Sequence, residues 1–290
     1  MSVTTSDTRR RATPVDLAPT TPNLAKMHRS AIGAELRDAF DGFDASAWPD
    51  DEVRRARRQW ASRADAEFAS TAQFAGLVHA LTRLGAPIEL IGAATRLVTD
   101  ECRHADLCQR FAAALGDDTP VGAGRHALSV VPTEAPTWFA VARAILTACA
   151  LGEQISVTVL DALRAVCDAP LAAAVCERIG SDERFHARFG YEALAWILPR
   201  LTDDERQRLE RGLPSLLGHF EQTCSGGPDV LARIVEQDVT FERRAGNLGT
   251  LARDEYAALF YASLEADVLP GLTALGFDAP QAWAARHDAR

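Results

Sequence analysis

Asp100-Glu101-Cys102-Arg103-His104 and Asp182-Glu183-Arg184-Phe185-His186 are two copies of one pattern, D-E-x-x-H, each inside a stretch with the composition of a long helix. With 17 Glu and seven His among 290 residues, chance supplies roughly 0.4 Glu-x-x-His pairs. Two pairs, both preceded by Asp, are far harder to obtain by accident. A single Glu precedes each copy on the helix before it: Glu67 stands 34 residues ahead of Glu101, and Glu153 stands 30 ahead of Glu183. Residues three apart on a helix share a face, so Glu101 with His104, and Glu183 with His186, can each hold one metal. Four carboxylates carry a charge that two divalent cations cancel, while neutral imidazoles add nitrogen ligands at no charge. Left without cations, four buried carboxylates would repel one another and lose much of their hydration. An oxygen-rich set with one His per metal favours iron or manganese over a thiolate zinc site. The predicted ligands are therefore Glu67, Glu101, His104, Glu153, Glu183 and His186.

The Asp before each Glu has its own predicted role. Asp100 and Asp182 lie four residues before His104 and His186, on about the same face. In an antiparallel arrangement each can reach the ring N–H of the His on the partner helix, fixing its tautomer and orientation. Thr71 is four residues after Glu67, Cys149 four before Glu153, and Ser156 three after it. All three fall near the ligand face and are candidates to line an oxygen or substrate pocket, as is Cys108, one turn after His104. His79, twelve residues after Glu67, falls about 120° around the helix and reads as structural.

The chain carries a net charge of −9, which argues against non-specific nucleic-acid binding. Apolar residues make up 47% and charged residues 24%, enough for one sizeable core. The six cysteines include no C-x-x-C, so no iron–sulfur or structural zinc motif is encoded. Scattered Cys in apolar helices read as reduced core residues and point to the cytoplasm. Arg9-Arg10-Arg11 has no apolar run after it, and Thr and Pro crowd the residues that follow, so 1–23 reads as a disordered tail. No uncharged apolar stretch approaches the roughly 18 residues of a membrane span.

Residues 24–290 read as a single all-α domain. A long helix starts after Pro49-Asp50 and runs past Trp60, Glu67 and Phe74 to Gly85; these three, seven apart, share an apolar face. A second begins near Pro87 and ends at Gly116. The segment 116–135 reads as a crossover, followed by a helix over 136–166 carrying Glu153 and another over about 170–200 carrying Glu183 and His186. This makes two helical hairpins with equivalent ligand placement, a four-helix core over about 50–200 and an internal repeat. Further helices over about 202–285 follow, the first opened by the capping box Thr202-Asp203-Asp204-Glu205, and the last running from Thr250 to Leu269. They are predicted to cover one side of the core and shape a substrate cavity, or to add packing or a dimer surface. Arg54, Arg55, Arg57, Arg58 and Arg63 crowd one stretch of the first long helix; an acidic carrier protein bringing a tethered substrate is one reading of that face, a solvated face paired with Asp50, Asp51 and Glu52 the other.

On these residues the chain resembles the ferritin-like non-heme di-iron carboxylate superfamily, which includes multicomponent monooxygenases, acyl-carrier-protein desaturases, ribonucleotide reductase small subunits and arylamine N-oxygenases. The resemblance covers about residues 50–200. Asp100-Glu101-Cys102-Arg103-His104 is similar to the D-E-x-R-H form of oxygen-activating members, with Arg103 as an outer partner of the Asp pair; the second copy has Phe185 in that place. Ribonucleotide reductase subunits carry a Tyr where Cys108 stands, and arylamine N-oxygenases add a His where Ile179 stands. The resemblance implies a ferritin-like four-helix bundle and a di-iron centre (or a mixed manganese–iron one). It implies O2 as co-substrate, and hydroxylation, desaturation or N-oxygenation of a small organic substrate in a biosynthetic pathway. With no dinucleotide or iron–sulfur motif, electrons come from a separate reductase or ferredoxin. A homodimer is a further expectation, in keeping with the dimer surface read for the C-terminal helices. The alternative is a ferritin-like iron-handling or peroxide-detoxifying protein.

Overall fold

In the computed structural model, residues 21–32, 36–117, 119, 121, 131, 134–235 and 241–288 are described, and among them every regular element is helical, with no strand. The all-α class follows directly. Helix α1 (Pro22–Ile32) already begins at Pro22, so the chain is helical two residues before the predicted start of the domain at residue 24. Residues 1–20, and most of the crossover 116–135, lie outside the described residues.

After α2 (Arg37–Asp41), helix α3 (Asp50–Arg83) opens on Asp50, Asp51 and Glu52, acids that complement the positive end of the helix dipole. It stops at Gly85, whose φ of 68° suits the left-handed turn that closes a helix. Its buried stripe of Ala56, Trp60, Ala64, Phe74, Leu77 and Leu81 packs along α4 (Ile88–Ala114), the most extensive helix pair in the molecule. Thr137 caps α5 (Trp138–Ile145) by accepting the Ala140 N–H. Where the sequence predicts one regular helix over 136–166, the chain instead widens into a π-helical stretch, Leu146–Glu153, before α6 (Gln154–Val166) resumes. Helix α7 (Pro170–Ile197), with Pro170 in its first turn, packs against both the π stretch and α6. Contacts of α4 with α7 and of α3 with α5 bring the two hairpins together.

The span Trp138–Val166 bears on the membrane question. It is long and apolar enough to cross a membrane by length and composition, but half of its most apolar window is buried inside this structure and it carries Glu153.

The remaining helices are α8 (Asp203–Cys224), with both arms of the capping box formed, α9 (Pro228–Val235) and α10 (Arg253–Ser263). A second π stretch, Leu264–Val268, then leads to α11 (Leu269–Ala274) and the short α12 (Ala279–Ala284). The predicted last helix thus starts later, widens, and runs beyond Leu269. Helix α10 packs on α6, and α8 packs on α5 and α12. The loop before α10 is tied to α3: the Trp60 indole N–H donates to the Leu248 carbonyl at 2.9 Å, and buried Glu52 accepts the Leu248 N–H at 3.0 Å and the Thr250 hydroxyl at 2.6 Å. Arg63 leaves the arginine-rich face and sits 5.4 Å over the Trp60 ring, while Arg57 donates to the Gly116 carbonyl at 3.3 Å. Arg54, Arg55 and Arg58 alone of the five are exposed, Arg55 pairing with Glu52 at 3.5 Å.

Candidate metal centre

Four helical segments converge on one buried cluster. Glu67 comes from α3, Glu101 and His104 from α4, Glu153 from the last residue of the π stretch, and Glu183 and His186 from α7. Glu101, His104, Glu183 and His186 are 0–1% exposed, and the Glu67 side chain 12%. Their ligand atoms form two overlapping groups, each within 4.8 Å: Glu67, Glu101, His104 and Glu183 in one, Glu101, Glu153, Glu183 and His186 in the other. Glu101 and Glu183 belong to both. The structure therefore brings all six predicted ligands together, with two carboxylates placed between two pairs of outer groups.

The inner geometry leaves groups without hydrogen bonds. His104 Nδ1 lies 3.5 Å from Glu67 and from Glu183, and His186 Nδ1 lies 3.2 Å from Glu101 and from Glu183. Yet His104 Nδ1, His186 Nδ1, Glu101 Oε1 and Glu183 Oε2 are all buried without a hydrogen-bond partner. Buried polar atoms are rarely left so, because each forfeits its hydration for nothing. Four of them facing one small space, all electron-pair donors when deprotonated, match the donor set of a pair of hard divalent cations.

The outer nitrogens are occupied. His104 Nε2 meets Asp182 Oδ2 at 3.3 Å, and His186 Nε2 meets Asp100 Oδ2 at 3.3 Å. Each Asp thus serves the His of the opposite helix, leaving both Nδ1 atoms to face the cluster. Arg103 bridges the Asp pair: its Nη1 donates to Asp100 at 2.6 Å and to Asp182 at 2.7 Å. Two further arginines join that the sequence reading passed over. Arg96 donates to Asp100 at 3.1 Å and to Asp182 at 3.4 Å, and Arg178 donates to Asp182 at 2.8 Å. Their signal was present, since Arg96 stands four residues before Asp100 as Arg178 does before Asp182. Phe185, at the place of Arg103 in the second copy, takes the Arg96 guanidinium on its ring face at 4.0 Å.

Electrostatics follow from burial and pairing. Burial pushes the Glu101 carboxyl up to about 8, and burial with the neighbouring Glu183 charge pushes Glu153 well above the usual carboxylate range. Burial also opposes ionisation of Glu183, but the charges of His186 and His104 beside it outweigh that and hold it low. Burial disfavours the charged form of His104, yet Asp182 and Glu67 overcome it and raise the ring to about 10. His186 is likewise raised against burial, by Asp100, Glu101 and Glu183. Without metal, imidazolium charges balance the carboxylates.

The predicted pocket residues fare differently. Thr71 bonds the carbonyl of Glu67 on its own helix at 3.4 Å and receives Cys102 Sγ at 3.9 Å. Cys108 and Cys149 are fully buried, and burial pushes both thiols up. Ser156 is half-buried on α6. Neither these four nor the metal-ligand candidates line the four described cavities, of about 180 to 500 Å3. Among the C-terminal helices α8 does shape a groove, with α5 and the start of the π stretch, but no metal-ligand candidate lines it. Their reach toward the centre is indirect. The Tyr191 hydroxyl donates to the Ala150 carbonyl in the π stretch at 3.0 Å, the Tyr191 ring packs where Gly271 leaves room, and Ser263 donates to the Gln154 carbonyl at 3.4 Å.

No protein-family model matches the chain, and no curated protein or solved structure is significantly similar to it.

Proposed function

We propose that the chain is a ferritin-like four-helix bundle with added C-terminal helices, and that it works as a non-heme di-iron oxygenase or oxidase on a small organic substrate. The observation that carries this reading is the pair of overlapping carboxylate–imidazole groups sharing Glu101 and Glu183, with four unpartnered donor atoms facing one another. Glu67 and His104 would hold one ion, Glu153 and His186 the other, with Glu101 and Glu183 between them. Two iron ions there would supply one-electron redox chemistry and a place for O2 as co-substrate. The protein's own part is positional. Asp100 and Asp182 hold each imidazole with Nδ1 inward, and Arg96, Arg103 and Arg178 balance the aspartates so that they stay ionised beside the rings. Phe74, 6.0 Å from the His186 ring, and Phe185, 6.4 Å from it, keep water from that side. Electrons would come from an external reductase or ferredoxin.

One observation favours a second reading, an iron-handling or peroxide-removing protein: no ligand residue lines a described cavity, and an enclosed centre suits O2 or peroxide better than a bulky substrate. Reconstitution with ferrous iron followed by metal analysis and O2 uptake separates these. The oxygenase reading expects two ions per chain and O2 uptake that continues with an external reductant. Iron accumulating well beyond two per chain would select the second reading, and no iron binding would refute both.

A further inference from the structure

A groove of about 500 Å3 lies between α8 and the start of the π stretch, well inside the usual range of roughly 300–1,000 Å3 for small-molecule sites. Phe139, Leu146 and Leu216 give it an apolar floor, and Arg143, Arg208 and His219 stand along its exposed rim. None of its ten lining residues is acidic. In a chain of net charge −9 that is a marked local reversal, because each of the other three described cavities carries at least one Glu or Asp. The two guanidiniums are also available. Among the described residues neither pairs with a carboxylate, and Arg208 lies over the Phe139 ring with its Cζ 4.2 Å from the centroid. That stacking turns one face of the guanidinium to the apolar floor and leaves its edge N–H groups for an acceptor, the fork that carboxylates match.

We infer that this groove binds an amphipathic carboxylate, a single anionic headgroup on an apolar chain or ring, with Arg143 and Arg208 on the headgroup and the Phe139–Leu146–Leu216 floor under the apolar body. The inference is independent of the metal centre, since no metal-ligand candidate lines the groove. An acyl or aryl acid fits where inorganic phosphate does not, because phosphate leaves the floor uncovered. It fits where a neutral alcohol does not, because the alcohol leaves two cations unanswered.

Isothermal titration of the full chain with decanoate tests it, with 1-decanol and inorganic phosphate as the two partial probes. Decanoate is expected to bind one site per chain and to bind at least about tenfold more tightly than either partial probe, an advantage equivalent to about 1.4 kcal/mol. Raising the ionic strength should weaken it, since both arginines are exposed. Arg143→Gln combined with Arg208→Gln should reduce affinity about tenfold or more, and Leu216→Gln should weaken decanoate while leaving phosphate unchanged. Circular dichroism checks that the variants keep their helices; should the Gln pair lose helicity, the single variants Arg143→Gln and Arg208→Gln replace it, each expected to weaken decanoate several-fold, and full affinity in both would equally overturn the assignment. Absence of decanoate binding, equal binding of 1-decanol or phosphate, or full affinity in a folded Gln pair would each overturn the assignment.

Discussion

The two halves of the cluster offer the same ligands from different scaffolds. In the first, Glu67 projects from the middle of a regular α-helix, and the residue one turn past His104 is Cys108, fully buried. In the second, Glu153 ends a π-helical stretch, and the residue one turn past His186 is Gly190. A Cβ on Gly190 would come within 2.6 Å of the Cys149 Cβ and 2.8 Å of the Ala150 backbone nitrogen. The π turns carry the backbone so close to α7 that only a glycine fits, whereas α3 and α4 keep room for a thiol. The outer shell is unequal as well. Asp182 accepts from Arg178, Arg103 and Arg96, and Asp100 accepts from Arg103 and Arg96. Equivalent ligand placement therefore does not require equivalent backbone, and the half built on the wider turns depends on neighbours for its shape.

Metal content gives the sharpest test of which groups are shared. Glu101→Ala or Glu183→Ala should lose both ions, because each carboxylate belongs to both donor groups. Glu67→Ala or Glu153→Ala should lose only one. Equal losses across all four variants would show that no carboxylate is shared.

A smaller effect should separate the two aspartates. Asp182→Asn is expected to weaken metal binding by about 10–100-fold, and Asp100→Asn by less, since losing the negative charge removes more compensated partners at Asp182. Metal titration of the two variants reads the difference, and a greater loss at Asp100 would reverse the comparison.

Proton release accompanies metal uptake. His104, raised to about 10, and Glu101, raised to about 8, are protonated at neutral pH in metal-free protein. Ligands must be deprotonated to bind, so metal uptake should acidify an unbuffered solution and affinity should climb as pH rises through about 8. Carboxylates raise both rings, chiefly Asp182 and Glu67 at His104 and Asp100, Glu101 and Glu183 at His186, so both imidazoles contribute to the release. Metal-linked proton release measured by titration checks this, and affinity flat between neutral pH and 9 would contradict it.

Stability differences are smaller. Gly190→Ala should cost about 1–3 kcal/mol through overpacking, whereas Cys108→Ala, at the equivalent place, leaves only a small void. Tyr191→Phe removes the bond to the Ala150 carbonyl and should cost about 0.5–1.5 kcal/mol, with the Glu153 ion weakened and the Glu67 ion unaffected. Chemical denaturation with paired metal titration measures both, and equal weakening of the two ions would deny Tyr191 any local role.

Helix existence and the grouping of Glu67, Glu101, His104, Glu153, Glu183 and His186 were legible in the chain itself, because i,i+3 spacing and apolar periodicity are local properties that one helix carries wherever it packs. The repeated Arg96 and Arg178 were equally legible, four residues before each Asp. Other features depended on contacts between segments far apart in sequence. At the π stretch Leu146–Glu153, α7 closes over the widened turns at Gly190 and Tyr191, and nothing in Leu-Thr-Ala-Cys-Ala-Leu-Gly-Glu alone distinguishes it from an ordinary helix. The same holds for Arg63, turned onto Trp60 rather than outward with its neighbours, and for the acid-free groove, whose rim joins residues from α5 and α8. Local sequence set which residues could lie on one helix face. Close packing between helices set which backbone had to widen, which residue had to be glycine, and which cations were left facing an open floor.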